Sequence, residues 1–405
     1  MIDRLVVIND LAEPKGGATA LALEGALACR DRGMEVTYIC GDRGDNAALR
    51  ERNIEIVALG GARLEAAGAV RALATGLYNP SARAMVARWM AQHDTPRTVY
   101  HVHGWAQILS PSIFAALKPV MERVVLHAHD FFLACPNGSF SFLKTGDICP
   151  LVPLSVPCVA ANCDRRSYPH KLWRVARQNV LRNLCDMAHV PRVLAIHEAM
   201  RPFLMRAGIP DRAITALPNP VRPFSAQRIA AESNDEFLFV GRLEATKGPD
   251  LAAAAARAAG VSMRFIGDGE LRASLEERYP DMIFTGRLPP AEIGVHAARA
   301  RALVMPSRYP EPYGLVAAEA LWSGLPVVAA ETAFLAQDID RAGAGASVNP
   351  RDIGVFGEVL RKILDDDAMT EAMSVAAFEG TGDIGLSPEA WTGRLMETYE
   401  SAVKA

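Results

Sequence analysis

Short apolar runs recur along the chain, separated by longer stretches in which apolar residues return every three to four positions. The runs Leu5–Ile8, Glu35–Ile39, Ile54–Val57, Val99–Val102 and Val124–His127 have the length and β-branched content of buried strands. Between them, the spacing of Ala20, Leu21, Leu23, Ala26 and Leu27 predicts a helix that stops at Gly33. Further helical segments fall near 81–92 and 106–118. Strands alternating with helices build a parallel, doubly wound sheet. The alternation breaks between Phe131 and Pro169. It resumes with a helix at about 169–185, a strand at Val193–Ile196 and a helix near 199–207.

A second alternation starts at Phe237–Val240 and continues through Met263–Ile266, Ile283–Phe284, Leu303–Val304 and Val327–Ala329. Between the two lie Pro218-Asn219-Pro220-Val221-Arg222-Pro223 and the polar stretch Ser225–Asp235, where three prolines in six residues can continue neither a helix nor a central strand. The pattern predicts an α/β protein of two Rossmann-like doubly wound domains facing across a cleft. They are a first domain at 1–217, a hinge at 218–235 and a second domain at 236–386, with a last helix at 387–405 packing back on the first. Ligands of such sheets sit at the carboxyl ends of the strands, so the residues just after each strand are where chemistry is sought.

The 405 residues are 50% hydrophobic, enough for a substantial core in each of two domains. Lys plus Arg is 43 against 46 Asp plus Glu, and a net charge of −3 excludes a nucleic-acid coat. No apolar run reaches the ~18 residues of a membrane span, and Met1-Ile2-Asp3-Arg4 opens no signal-peptide pattern. The expectation is a cytoplasmic protein, in which an odd count of seven cysteines argues against a disulfide framework.

In the second half, Gly241-Arg242 directly follows a strand and Lys247-Gly248 comes a few residues later. A glycine lets backbone approach a phosphate, and a fixed Arg and Lys supply charge to stabilise a departing diphosphate. Alone, the pattern also fits a solvated turn with two surface cations. It is not a phosphate-binding loop of the Walker type, because the glycine before the Lys and the hydroxyl residue after it are missing. Gly267-Asp268-Gly269 also follows a strand, but Arg272 stands where a dinucleotide fingerprint needs its third glycine. The strongest element is Pro310-Glu311-Pro312-Tyr313-Gly314-Leu315-Val316-Ala317-Ala318-Glu319, in which Gly314 and Leu315 open a helix whose free N–H groups can hold a phosphate. Glu311 precedes that helix and Glu319 lies along it, so one carboxylate can meet the sugar end and the other the ribose end of a nucleotide sugar.

Glu311 and Glu319 resemble the carboxylate pair, seven residues between, of retaining glycosyltransferases of family 4. Gly241-Arg242 with Lys247-Gly248, Gly267-Asp268-Gly269, Gly286-Arg287 and Gly324-Leu325-Pro326-Val327 resemble that family's other marks, in its order. The resemblance implies an architecture of the GT-B type with a nucleotide-sugar donor on the second domain. It places Arg242 and Lys247 on the diphosphate, Glu319 on the ribose hydroxyls and Glu311 beside the transferred sugar. The backbone amides of Gly314, Leu315 and Val316, with Gly241, would face the donor, and the backbone near Arg287-Leu288 would hold the base. It implies that no metal or other cofactor is required.

Gly16-Gly17-Ala18 resembles the same family's N-terminal glycine loop beneath the donor. A rival nicotinamide-dinucleotide reading would use Asp42 as its ribose acid, but the loop lacks G-x-G-x-x-G. His101-x-His103 and His127-x-His129-Asp130 end two strands, and alternation puts each histidine pair on one face. A metal cluster is one reading, and cleft-lining histidines another, preferred because of the donor site. By the resemblance His129 contacts the donor sugar and His103 and Asp130 lie on the acceptor side; His101 and His127 read as packing residues. Cys135, Cys149, Cys158 and Cys163 share one segment and are candidate ligands for a structural zinc, against free buried thiols, with no compact C-x-x-C pair present.

Between Arg165 and Cys185 there are six Lys and Arg residues and no acidic one. On a helix Leu172, Val175, Ala176, Val180 and Leu184 share a face, with Lys171, Arg174 and Arg182 opposite. That fits an amphipathic helix on the domain core, and equally a basic surface for anionic lipid headgroups or a diphosphate-linked acceptor. The expected function is a retaining glycosyltransferase that moves a sugar from a nucleotide diphosphate to an acceptor hydroxyl in polysaccharide or glycolipid assembly. A lipid-linked acceptor and peripheral contact with the inner face of the membrane through 165–185 are part of that expectation. The alternatives are a nucleotide-sugar hydrolase or epimerase on the same fold, and a non-catalytic nucleotide-sugar-binding partner subunit.

Overall fold

A computed structural model describes residues 2–14, 16–64 and 69–404. The chain divides into two compact units, the first comprising residues 1–140, 149–217 and 389–405 and the second 141–148 and 218–388. The first unit holds seven parallel strands: β1 (Arg4–Asn9), β2 (Glu35–Cys40), β3 (Glu55–Ala58), β4 (Thr98–Val102), β5 (Val124–Ala128), β6 (Val193–Ala195) and β7 (Ile214–Ala216), in the order β3-β2-β1-β4-β5-β6-β7. β1, β4 and β5 are almost wholly buried, as strands covered by helices on both faces must be.

The second unit carries β8 (Glu236–Val240), β9 (Met263–Ile266), β10 (Ile283–Gly286), β11 (Ala300–Met305), β12 (Val327–Ala330) and β13 (Gly345–Val348), ordered β10-β9-β8-β11-β12-β13 and again all parallel. Its core packs Phe237, Phe239, Phe265 and Val304 against the alanine-rich helix Pro249–Ala259 and the helix Ile353–Asp365. In each sheet the order reverses where the first strand meets the fourth, and that is where such sheets take their ligands. Of the four edge strands, β7 and β13 carry no apolar run to announce them: Ile-Thr-Ala and Gly-Ala-Ser-Val are half exposed.

The proline-rich stretch packs within the second unit. Val221 N donates to Leu386 O and Leu386 N to Asn219 O, while Ile229 N donates to Ser323 O. The last helix, Pro388–Lys404, buries Trp391, Leu395 and Tyr399 in the first unit, with Trp391 so close to Gly25 that an added Cβ there would lie 3.3 Å from the indole.

The basic helix is Tyr168–Leu184, and its inward face differs from the one its apolar residues suggest. Leu172 is 40% exposed, whereas Lys171 and Arg177 are 1% and 4% exposed. Lys171 Nζ lies 3.7 Å from Cys158 Sγ and also bonds Cys163. Arg174 pairs with the buried Asp164 at 2.9 Å. Arg177 lies over the rings of Trp105, Phe132 and Trp173 and donates to Ala106 O. Long cationic side chains can bury their stems and rings can cover a guanidinium. Here polar groups with partners inside join Val175 and Leu181 on the buried face, so Lys171 and Arg174 do not form the outer basic surface expected of them. Among the described residues, no helix is long and apolar enough to cross a membrane.

Candidate active site

At the carboxyl end of the second unit's sheet, the turn after β8 runs through Gly241-Arg242 to Lys247-Gly248. Gly248 has φ 70°, and a Cβ there would lie 2.2 Å from Pro306 O, so only glycine lets this turn close on the segment after β11. Arg308 completes the closure with a two-pronged ion pair to Asp250 at 2.6 and 2.5 Å, while its backbone N donates to Thr246 O. The effect is to bring Lys247 onto Glu311. The ammonium lies 2.6 and 2.7 Å from the two carboxylate oxygens and 3.3 Å from the Tyr309 hydroxyl, and Ser307 Oγ donates to Glu311 Oε2 at 2.8 Å.

Glu311 is 8% exposed. Burial pushes its carboxyl up, but the Lys247 charge and the hydrogen bonds from Lys247, Ser307 and Tyr309 outweigh that and hold it below the usual glutamate range. Arg242 reaches outward instead, paired at 2.7 Å with Glu244 and 62% exposed in its side chain. Ser307 and Tyr309 carry no motif of their own in the sequence. Their place directly behind β11 is the signal that could have found them.

Gly267-Asp268-Gly269 serves backbone packing. A Cβ on Gly267 would stand 1.8 Å from Gly241 O, and one on Gly269 2.5 Å from Leu243 O. Leu243 N donates to Asp268 O and Leu271 N to Leu243 O, so the turns after β8 and β9 are locked together. Gly286, with φ 78°, ends β10 against Gly267 N, and Arg287 and Leu288 follow it at the surface. Gly314 has φ 77° and a Cβ there would meet Met305 Sδ at 2.6 Å, which fixes the sharp entry into the helix Leu315–Leu321, whose first two residues are Leu315 and Val316. Glu319 lies on that helix. Among the described residues its carboxyl carries no hydrogen bond, and burial raises it to about 7 against a lowering by Arg222.

In the first unit, β4 and β5 deliver four histidines to one place. His103 Nδ1 lies 2.8 Å from His129 Nε2, His103 Nε2 3.1 Å from His101 Nδ1, and His127 Nδ1 3.2 Å from His101 Nε2. The His101–His127 and His127–His129 rings stack with interplanar angles of 15° and 18°. Tyr399, from the last helix, bonds His101 Nδ1 at 2.7 Å. Burial and mutual repulsion hold His101, His103 and His127 well below the usual histidine range, and burial takes His129 down to about 3. His101 and His127, read from the sequence as packing residues, are thus joined to the same cluster as His103 and His129. Tyr399 lies 270 residues beyond His129 in sequence, and no spacing pattern points to it.

Asp130 Oδ1 accepts from Phe132 N, and burial raises its carboxyl to about 6 against the pull of Arg177. Asp10, behind β1, accepts from Gln107 N, Ile108 N and Leu109 N at 2.7, 2.9 and 2.8 Å, a structural anchor that no motif marks in the sequence. Asp42 accepts from Ala12 N and Gly44 N, which occupies the carboxylate that a dinucleotide reading would need. Gly16, with φ 96°, and Gly17 are exposed and open the helix Gly17–Asp31, and among the described residues no atom lies within 4 Å of where a Cβ would stand on either. Cys135, Cys149, Cys158 and Cys163 are all buried and in no disulfide, and the Lys171 ammonium stands beside them.

The family model for Glycosyltransferase Family 4 matches residues 15–223, and the model for Glycosyl transferases group 1 matches residues 222–379. The chain belongs to Glycosyltransferase Family 4. Over 166 residues it is 34% identical to a glycogen synthase of Mycobacterium tuberculosis, a match covering 38% of this chain and 40% of that protein. Over 233 residues it is 30% identical to D-inositol 3-phosphate glycosyltransferase 1 of Catenulispora acidiphila, covering 53% and 52%. The chain therefore spans between two-fifths and about half the length of these relatives. Among solved structures it resembles Anabaena Alr3699/HepE in complex with UDP, with TM-score 0.68, 17% identity and coverage of 98% and 100%. It also resembles a sucrose-phosphate synthase of Thermosynechococcus elongatus, with TM-score 0.71, 17% identity and 98% coverage of each chain. The fold is of the GT-B type.

Proposed function

We propose that the chain is a retaining glycosyltransferase that moves a sugar from a nucleotide diphosphate to an acceptor hydroxyl in polysaccharide or glycolipid assembly. The observation that carries this reading is the Lys247–Glu311 pair, held by Ser307 and Tyr309 at the carboxyl ends of β8 and β11 in a chain of this family. A donor diphosphate competes with Glu311 for the Lys247 ammonium. Donor binding then stabilises the departing phosphate charge and releases a buried carboxylate to face the transferred sugar. Arg242 adds a second cation, and its exposed side chain can swing from Glu244 to the phosphates. Negative charge develops on the leaving group, so stabilising it there lowers the barrier more than any other contact in the site. Glu319, whose carboxyl has no hydrogen-bond partner among the described residues, takes the ribose hydroxyls, and His129 is assigned to the sugar. The transfer so described uses no metal ion.

HepE has been crystallised with UDP and with UDP-glucose, which makes uridine donors the first to test. Purified protein is incubated with UDP-glucose or GDP-mannose and a panel of polyol, sugar-phosphate and lipid-linked acceptors, with EDTA present. The expected product keeps the donor's anomeric configuration by proton NMR. Free sugar or an epimer as the sole product, or an inverted anomer, would overturn the proposal, as would donor binding without turnover under every acceptor.

A further inference from the structure

Four stacked imidazoles and a tyrosine share a limited number of protons, and the count decides which nitrogen carries each. Charging any of them is disfavoured by burial, so each ring has one N–H and one bare nitrogen. Tyr399 is fully buried, and His101 Nδ1 is the partner of its hydroxyl. If that hydroxyl donates, His101 Nδ1 is bare and its proton sits on Nε2, which then donates to His127 Nδ1. His103 Nε2 faces the same bare His101 Nδ1, and two bare nitrogens 3.1 Å apart would repel, so His103 carries its proton on Nε2. His103 Nδ1 is therefore bare and accepts from His129 Nε2–H. The Tyr399 hydroxyl and His103 Nε2–H share the one lone pair of His101 Nδ1, and this order leaves one buried donor wholly without a partner, His127 Nε2, and one bare acceptor, His129 Nδ1; neither nitrogen has a partner among the described residues. The opposite order strands two donors, the Tyr399 hydroxyl and His129 Nδ1–H. A buried donor left unpaired costs about 1–3 kcal/mol, so the first order wins.

We propose that Tyr399, His101 and His103 are positioning residues that hold His129 in its Nε2–H form, with Nδ1 kept as a bare acceptor. The sugar role of His129 rests on the function proposed above; the proton order does not. Three nitrogens of His101, His103 and His127 lie within 4.8 Å of one another, so a metal ion is the competing occupant. Contacts of 2.8–3.2 Å that each pair one ring nitrogen with one other favour the hydrogen-bonded chain.

The test is ring-nitrogen NMR on ligand-free full-length protein labelled with 15N at its nine histidines. All four rings are expected neutral at pH 7 and all in the Nε2–H form. A dominant Nδ1–H form at His103 or His129 would overturn the proposal. Tyr399→Phe removes the bias, and an Nδ1–H population at His101 and His129 should grow; an unchanged spectrum counts against it. If Tyr399→Phe does not fold, His103→Asn and His103→Leu serve instead. His103→Asn keeps an acceptor near the Nδ1 position and should preserve the His129 signal, and His103→Leu should mix it. Stoichiometric zinc is expected to leave the four resonances in place, and their loss with one retained zinc would replace the chain by a metal site. Because no donor is used, absent transfer activity with the expected spectrum defeats the proposed function alone, whereas transfer with mixed tautomers defeats this inference alone.

Discussion

Glu311, paired with Lys247, is buried about as deeply as His101, His103 and His127, and the two regions solve burial in opposite ways. In the second unit one group of each sign is brought together, and attraction and hydrogen bonds outweigh the loss of water, leaving Glu311 ionised. In the first unit like groups are brought together, so burial and repulsion act in the same direction and the rings stay neutral. Burial alone therefore does not decide whether a group is charged; the sign of its neighbours does. The charged pair is suited to meeting a diphosphate. The neutral stack is suited to directing hydrogen bonds.

The sharpest break in that contrast is to remove one partner from each region. Lys247→Ala leaves Glu311 as an uncompensated buried carboxylate. It should lose roughly 3–5 kcal/mol of stability, and turnover should fall on the order of 10²–10³-fold as a site cation is lost. Glu311 then titrates upward, so the loss should shrink in acid. His127→Phe removes one buried donor that has no partner among the described residues, His127 Nε2–H, and leaves another, His101 Nε2–H, in its place, so the two nearly cancel and stability should change by less than about 1.5 kcal/mol. Chemical denaturation with steady-state transfer assays checks both. Equal losses in the two variants would erase the distinction.

The two regions were not equally legible in the sequence. The residues that follow a strand could be found because a parallel sheet sends its ligands there, and Arg242, Lys247, Glu311 and Glu319 stand on such segments. What a group touches depends on the third dimension. Nothing in the spacing of Tyr168–Leu184 says that Lys171 turns toward cysteines or that Arg177 lies between three rings, so its apolar residues pointed to a face that Leu172 and Ala176 do not bury. The same holds for Tyr399, whose helix returns to the first unit from the far end of the chain. β7 and β13 escaped because Ile-Thr-Ala and Gly-Ala-Ser-Val hold too few apolar residues in a row, whereas the edge strands β3 and β10 carry Ile54 to Val57 and Ile283-Phe284.

A second, smaller difference is in the response to pH. For the histidines the folded values lie below the unfolded ~6.5, so the unfolded chain binds more protons as pH falls from about 6.5. Stability is then lost on acidification, at up to ~1.4 kcal/mol per pH unit for each ring. Glu319 has the opposite sign. Its folded value is raised from 4.5 to about 7, so the folded protein binds the extra proton and the ligand-free chain loses stability as pH rises through that window. Urea midpoints of wild type, His129→Phe and Glu319→Gln between pH 4.5 and 8 separate the two. Glu319→Gln should flatten the alkaline loss and leave the acid loss intact.

The same carboxyl predicts the pH dependence of donor binding. Ribose hydroxyls donate to a carboxylate and not to a protonated acid's O–H, so donor affinity should fall below pH 7 by up to about tenfold per unit. Glu319→Gln should bind donor more weakly at pH 8 with no such slope. Calorimetric titration with UDP and UDP-glucose measures it. A wild-type affinity that is flat from pH 5.5 to 8 would remove Glu319 from the ribose.

The smallest effect is expected at Arg242, a cation that the fold leaves in water. Arg242 and Glu244 form a surface pair, with Arg242 62% exposed in its side chain, and such pairs contribute about 0–1 kcal/mol. Glu244→Ala should therefore shift the denaturation midpoint by a few tenths of a kcal/mol at most, where Lys247→Ala moves it by several. It also leaves the guanidinium free before the donor arrives. If Arg242 reaches the diphosphate, removing its competitor should tighten donor binding slightly, by less than about tenfold, most clearly at low salt where exposed charges are least screened. Weaker donor binding in Glu244→Ala would mean that the pair itself is what places Arg242. The cation outside the core would then be positioned by a neighbour, just as Lys247 is within it.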